Sequence, residues 1–368
     1  MADNLRIGII GCGIGDFHAE AYELDRRADV VSLAGLDIPR CLEVCKKHGI
    51  PEHTTHYEDL LARADVDAVS ICVPNYLHAP IAIAALRAGK HVLLEKPIGL
   101  TAAEGEQIVA EANAAGKVLG IAFSKRYRAD VELLKAQTRA GALGEIYYAK
   151  AFWMRRAGIP GLGSWFTNKG LSGGGSLIDL GVHVIDMVLW LMGNPTITSV
   201  SAATFSKLGP KGRGHWAGHR FQHNAENAFE VDDLATAMLR TDTGAVIQLE
   251  TSWATYSSHT DDHGVILMGD EGGAEIRIHD YQKSGALKFF TDMNGVPVDT
   301  QPRTVVQHEH LQVVKRFIDA ITLGVPMTPS GQEGVDRARI IDSIYQSAAL
   351  GHEITINQPV ATTATAAD

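Results

Sequence analysis

Cysteine is scarce in this chain. Its four residues, Cys12, Cys41, Cys45 and Cys72, all fall in the first fifth of 368 positions. They form no CxxC pair and no zinc-ribbon spacing, which excludes a disulfide scaffold and a thioredoxin-type site. Free thiols of this kind suit a reducing cytoplasm, the expected location. Positive charge is in the minority, with 33 Lys and Arg against 43 Asp and Glu and a net charge of −10. Nothing in that balance favours nucleic acid or an anionic membrane. No apolar run of about 18 residues reads as a membrane span. The polar first residues lead straight into a β-type run, so no signal peptide is expected. No repeat recurs at a solenoid period.

What remains is a mean hydropathy near zero and a hydrophobic content of 45 %, the composition of a soluble globular protein with about two domains. β-type runs at 5–10, 30–36, 67–73, 91–94 and 118–123 alternate with helical stretches at 16–26, 39–48, 77–88 and 102–115. That beat predicts βαβ units and a parallel sheet of the Rossmann type, a first domain over residues 1–124. After residue 143 the rhythm changes. An aromatic extended run at 146–154 precedes a glycine-rich loop at 158–175 and an apolar helix at 176–192, which stops at Gly193-Asn194-Pro195. Runs at 196–206, 231–240, 244–256, 264–269, 273–279 and 286–291 read as a mostly antiparallel sheet. Helices return at 308–323 and 331–350. The fold class is therefore α/β, with a second α/β domain over 125–356, whose final helix can pack back on the first, and a disordered tail at 357–368.

Gly11-x-Gly13-x-Gly15 follows the first β-run and opens the first helix. Glycines there permit a tight turn, and the helix N-terminus favours a pyrophosphate. The spacing is one residue tighter than GxGxxG. Asp37 closes the second run about 20 residues on, where a carboxylate accepts from the adenine-ribose hydroxyls and repels a 2′-phosphate. This points to NAD, while Arg40 leaves NADP open. Ile14, Val73, Asn75, His78, Glu95, Lys96 and Arg126 are the further candidate contacts to the dinucleotide. Taken alone, Asn75 is equally a helix N-cap.

His91-Val92-Leu93-Leu94-Glu95-Lys96-Pro97 ends a β-run in a glutamate and a lysine. In an open parallel sheet that end is the ligand edge. Alone, Lys96 reads equally as a solvated or paired lysine.

Four stretches in order, Gly11-Cys12-Gly13-Ile14-Gly15-Asp16-Phe17-His18, Pro74-Asn75-Tyr76-Leu77-His78, Glu95-Lys96-Pro97 and Gly173 to His183 (Gly-Gly-Gly-Ser-Leu-Ile-Asp-Leu-Gly-Val-His), resemble the Gfo/Idh/MocA oxidoreductases, the glucose–fructose oxidoreductase and inositol dehydrogenase group. The resemblance spans about residues 5–355. It implies a C-terminal domain with a large open-faced sheet, through which the chain would form dimers or tetramers. It also implies a reaction centre of Lys96, Asp179 and His183.

Four residues apart on one helix, Asp179 and His183 share a face. A near-neutral histidine can take a hydroxyl proton as hydride leaves the carbon. Asp179 can orient the imidazole, raise its pKa or touch another hydroxyl. Lys96 can bind the same oxygen and favour an alkoxide. Lys125, Tyr127, Arg155, Trp165 and Asn168, together with Lys96, Asp179 and His183, are the candidate substrate contacts, since tryptophan faces suit sugar C–H surfaces. The expected activity is NAD-dependent oxidation of a secondary hydroxyl of a sugar, sugar derivative or cyclitol. An NAD-dependent glycosidase working by transient oxidation, or a non-catalytic NAD-binding sensor, are the alternatives. His215, His219 and His223, with Glu226 and Glu230 following, have helical metal-ligand spacing, but Gly212, Gly214 and Gly218 oppose a helix, and no metal is expected.

Overall fold

The computed structural model describes residues 4–215 and 228–356. The tail at 357–368 and His219, His223 and Glu226 lie outside the described residues.

The first part of the chain alternates strand and helix as its periodicity requires. β1 (Leu5–Ile10) leads through the glycine turn into α1 (Gly15–Leu24), β2 (Ala28–Ala34), α2 (Ile38–His48), β3 (His53–Thr54), α3 (Tyr57–Ala62) and β4 (Ala68–Ile71). α4 (His78–Arg87), β5 (His91–Leu94), α5 (Ala102–Ala115) and β6 (Leu119–Ile121) follow. The six strands lie in the order β3-β2-β1-β4-β5-β6 and are all parallel. The order reverses between β1 and β4, which opens a crevice at the carboxyl ends of the strands. β3 and α3 leave no periodic trace in the sequence, because two and six residues are too few to establish one.

α6 (Ala129–Arg139) was not anticipated either, since it buries only Asp130, Val131 and Leu134 and its apolar stripe is narrow. β7 (Ile146–Arg155), α7 (Lys169–Ser172) and α8 (Val182–Leu191) come next. β8 (Ile197–Phe205), β9 (Leu234–Thr241), β10 (Val246–Ser252), β11 (Asp261–Gly269), β12 (Gly273–His279), β13 (Leu287–Met293) and β14 (Val296–Thr300) precede α9 (Glu309–Leu323), α10 (Gly331–Leu350) and β15 (Ile354–Thr355). Nine strands form one sheet in the order β14-β13-β12-β11-β7-β10-β9-β8-β15. Among the described residues of this sheet only β7 and β10 pair in parallel.

The helical stretch Lys169–Leu191 has the length and apolarity of a membrane span, with a mean hydropathy of 1.4, contrary to the expectation from the sequence. Its apolar segment is 83 % buried within the protein, so that apolarity belongs to the core: α8 packs on β7 and β11. The last two helices return to the first domain. Val313, Val314, Phe317 and Ile318 of α9 share a core with Ile7, Ile9, Ala19 and Tyr22, and α10 lies on α5 and β8.

A buried ion network joins these parts. Arg126 Nε and Nη2 donate to Asp186 of α8 at 2.7 and 2.5 Å, and its Nη1 donates to Glu333 of α10 at 2.7 Å. Arg337 Nε reaches the same Asp186 at 3.0 Å. The guanidinium of Arg126 has no exposure, so the expectation that it touches a cofactor is corrected: its charge is committed to holding α8. Removing one partner of such a network strands a buried charge. Asp186→Ala is expected to lower the unfolding free energy by about 3–5 kcal/mol in urea denaturation. A loss below about 1 kcal/mol would show the network to be dispensable.

Candidate active site

The glycine turn fits a dinucleotide pyrophosphate. Gly11 has φ +103°, and a Cβ there would stand 2.3 Å from the Cys72 carbonyl oxygen, so only glycine is tolerated. A Cβ on Gly13 would meet nothing within 4 Å, which leaves open space over the turn. α1 begins at Gly15 with no side-chain cap, so its first N–H groups can serve an anion. Asp37 Oδ1 accepts from Arg40 N at 3.1 Å and caps α2, while the residue stays exposed at the mouth of the crevice.

Other expected cofactor contacts have their polar atoms committed within the protein. Buried Asn75 donates from Nδ2 to the Ser172 carbonyl at 2.8 Å, linking the first domain to the glycine-rich loop. The His78 ring sits between the carbonyls of Pro97 and Val73 at 2.6 and 2.9 Å. Glu95 is 3.0 Å from His18 Nε2 through Oε1 and accepts from Lys96 N at 3.2 Å through Oε2. Burial pushes its carboxyl up, but the hydrogen bond and charge of His18 outweigh that and hold it below the usual range. These bonds tie all three side chains into the protein around the glycine turn and the end of β5.

Lys96 and Asp179 meet across the two domains. Lys96 Nζ donates to Asp179 Oδ1 and to its backbone carbonyl, both at 3.1 Å. Trp253 Nε1 donates to Asp179 Oδ2 at 2.9 Å. Burial alone would raise the Asp179 carboxyl; the charges of Lys96 and Arg155 and the Trp253 hydrogen bond bring it below the ordinary value. Asp179 belongs to a π-helical turn, Leu177–Gly181, that runs into α8. No hydrogen bond joins Asp179 to His183 among the described residues; the carboxylate oxygens of Asp179 are taken by Lys96 and Trp253.

His183 Nδ1 is buried and has no hydrogen-bond partner among the described residues. Burial, then the charges of Lys96 and Lys125, hold its pKa well below 6.5. The net direction is thus opposite to the rise that a hydrogen-bonded carboxylate would give.

Around this centre, Arg155 Nε pairs with Asp261 at 2.8 Å, and its guanidinium lies 5.3 Å from the Trp153 ring centroid. Lys125 Nζ pairs with Glu309 at 2.9 Å. Trp165 is half-buried and stacks on Phe166, which meets Trp253 edge-on. Asn168 caps α7 through Leu171 N at 3.1 Å. Tyr127 leaves the candidate set, because it is 2 % exposed and donates to the Thr328 carbonyl at 2.8 Å. His215 pairs in a short bridge with Ile159, and Glu230 accepts from Lys169 N.

Several residues of the site escaped the sequence reading. His263 Nδ1 lies 2.8 Å from Asp261, and its ring stacks on Trp153, which in turn leans on His183. Asp261 and His263 are two apart on β11 and so share a face. The signal was present, but the run was started at 264, after both. Asp232 accepts from Gly175 N, Ser176 Oγ, Leu177 N and Tyr345 Oη at 2.8, 2.8, 3.0 and 2.7 Å, capping the helix that carries the centre.

Comparison with known proteins settles the family. Residues 5–123 match the model of an oxidoreductase family with an NAD-binding Rossmann fold, and residues 135–356 match its C-terminal alpha/beta domain. The chain belongs to the Gfo/Idh/MocA oxidoreductases. Among its Gfo/Idh/MocA relatives, the D-glucoside 3-dehydrogenase of Escherichia coli is 30 % identical, over 96 % of this chain and 97 % of that one. The levoglucosan dehydrogenase of Pseudarthrobacter phenanthrenivorans is 27 % identical over 94 % and 96 %. A solved levoglucosan dehydrogenase in complex with NADH and levoglucosan superposes with a TM-score of 0.85 at 25 % identity, over 97 % of this chain and all of that one. NAD is thus the cofactor of this Gfo/Idh/MocA oxidoreductase.

Gly11→Ala places a side chain against the Cys72 carbonyl at positive φ, a strain of about 1–3 kcal/mol. NADH affinity, read by nucleotide fluorescence, is expected to fall by about tenfold or more. Unchanged affinity would remove Gly11 from the cradle.

Proposed function

We propose that the protein is an NAD-dependent dehydrogenase that oxidises a secondary hydroxyl of a sugar, sugar derivative or cyclitol to a ketone, reversibly. The observation that carries this reading is the Lys96–Asp179 pair with a histidine kept neutral, whose buried Nδ1 has no hydrogen-bond partner among the described residues. Bound nicotinamide supplies the hydride acceptor. Lys96 donates a hydrogen bond to the reacting oxygen and stabilises charge as it develops there. His183 takes the hydroxyl proton on its other ring nitrogen and returns it when a ketone is reduced. Asp179, fixed by Trp253, aims the Lys96 ammonium. Trp165 and Arg155 border the centre, with surfaces suited to a ring and its hydroxyls. The sugar dehydrogenases among the relatives support a carbohydrate as substrate.

The test is absorbance of NADH when enzyme and NAD meet glycosides, anhydrosugars, aldoses and inositols. NADH formed with one class supports the reading and names the substrate class. Sugar released from glycosides with no net NADH would replace it with the glycosidase reading. On the substrate so found, Lys96→Ala and His183→Ala are each expected to lower kcat by about 10²–10⁴-fold while NADH still binds. Wild-type-like kcat in either would refute the assigned role.

The pH dependence follows from the direction of the His183 shift. A base whose pKa is pushed down stays unprotonated until the solution is more acidic than usual. Oxidation should therefore hold its rate through pH 6.5 and decline only well below it, in a kcat/KM profile. A half-loss at or above pH 6.5 would contradict the burial and charges assigned to His183.

A further inference from the structure

A second cluster of charge lies away from the reaction centre, beside the adenosine end of the crevice. Asp16, at the start of α1, draws in three basic side chains from α2. Arg40 Nη2 reaches Asp16 Oδ2 at 2.7 Å, and Lys47 Nζ and His48 Nε2 reach Oδ1 at 2.8 Å each. Arg40 Nη1 is taken by Glu43 at 2.6 Å, and Arg40 Nε is buried without a partner. Both ends of this guanidinium are therefore engaged, although its own backbone N–H caps onto Asp37, the residue placed to read the ribose hydroxyls. Burial would raise the Asp16 carboxyl, but the hydrogen bonds of Lys47 and His48 and the charges of Lys47 and Arg40 lower it to about 2, so it is ionised at any working pH.

Arginine is the residue of choice for a phosphate, because its planar fork binds two oxygens at once. An arginine three positions past the ribose-reading aspartate is placed to meet a 2′-phosphate. Here it is turned away and neutralised. We propose that Asp16 and Glu43 are specificity-determining positioning residues: by holding Arg40 they close a latent site for the 2′-phosphate of NADP and leave Asp37 to select NAD. The inference rests on the NAD-binding domain and not on the identity of the sugar, so the two stand or fall separately.

The experiment is fluorescence titration of NADH and NADPH without any sugar, reading the ratio of their dissociation constants. Wild type is expected to prefer NADH clearly. Asp16→Asn, which keeps the shape and removes the charge, should shift the ratio toward NADPH by about tenfold. Glu43→Gln, at a side chain 65 % exposed and so harmless to folding, should shift it the same way by less. Adding Arg40→Ala to either should cancel the gain. Thermal unfolding checks that the Asp16 variant is folded; if it is not, the Glu43 and Glu43/Arg40 pair decides. Equal affinity of wild type for both nucleotides would overturn the proposal, since Arg40 would already be free. An unchanged ratio in the folded variants, or a gain that survives loss of Arg40, would overturn it too.

Discussion

The contact between Lys96 and Asp179 is what the rest of the molecule is arranged to make. Two unit charges about 4 Å apart attract by about 4 kcal/mol at an effective dielectric of about 20. Each ion loses several kcal/mol on leaving water. With both side chains less than one-fifth exposed, the pair is sustained by its geometry: two hydrogen bonds from one ammonium, plus the Trp253 donor on the other carboxylate oxygen. Such geometry requires the end of β5 and the start of the long apolar helix to be held in fixed relation. Arg126 on Asp186 fixes the helix laterally, and Asn75 on the Ser172 carbonyl fixes the loop before it.

The helix start is under a tighter constraint. A Cβ on Gly175 would come within 1.9 Å of the Asp232 carbonyl, so backbone meets backbone there. That approach lets one carboxylate, Asp232, satisfy the donors of Gly175, Ser176 and Leu177 together. With its N-terminal groups met from outside, the helix can open with a π turn, a geometry frequent at functional sites. The turn includes Asp179, whose carboxylate and backbone carbonyl both meet the Lys96 ammonium.

Much of this was legible from the sequence. The βα rhythm, the glycine turn, Asp37 and the lysine at the end of 91–97 are local patterns, each set by a short-range rule. Misreadings arose where tertiary contacts decide. Arg126 and Tyr127 follow a strand end, just as a ligand contact would, and only the return of α8, α9 and α10 seals them inside. The i,i+4 spacing of Asp179 and His183 allowed a hydrogen bond between them, but the Asp179 carboxylate goes to Lys96 and Trp253, partners that lie far off in the chain. The Asp261–His263 pair was missed through a strand start set three residues late, an ordinary boundary error.

The electrostatics of His183 are finer than a count of neighbouring cations suggests. After burial, its proton affinity is lowered by Lys96, Lys125 and Arg155, among others. Each of these three cations has its own carboxylate: Asp179, Glu309 and Asp261. The ring therefore sits in a field of oriented pairs, near zero in net charge. Such a field keeps the imidazole deprotonated and available, but it also makes it a weak base. A weak base suffices only if the proton it receives is loosened as it leaves, and the ammonium of Lys96 provides this by favouring the oxyanion. In the proposed reaction the same charge would depress the acceptor and activate the donor. On that proposal Asp179 would set the balance: neutralising more of Lys96 would strengthen the base and weaken the activation, and neutralising less would do the reverse.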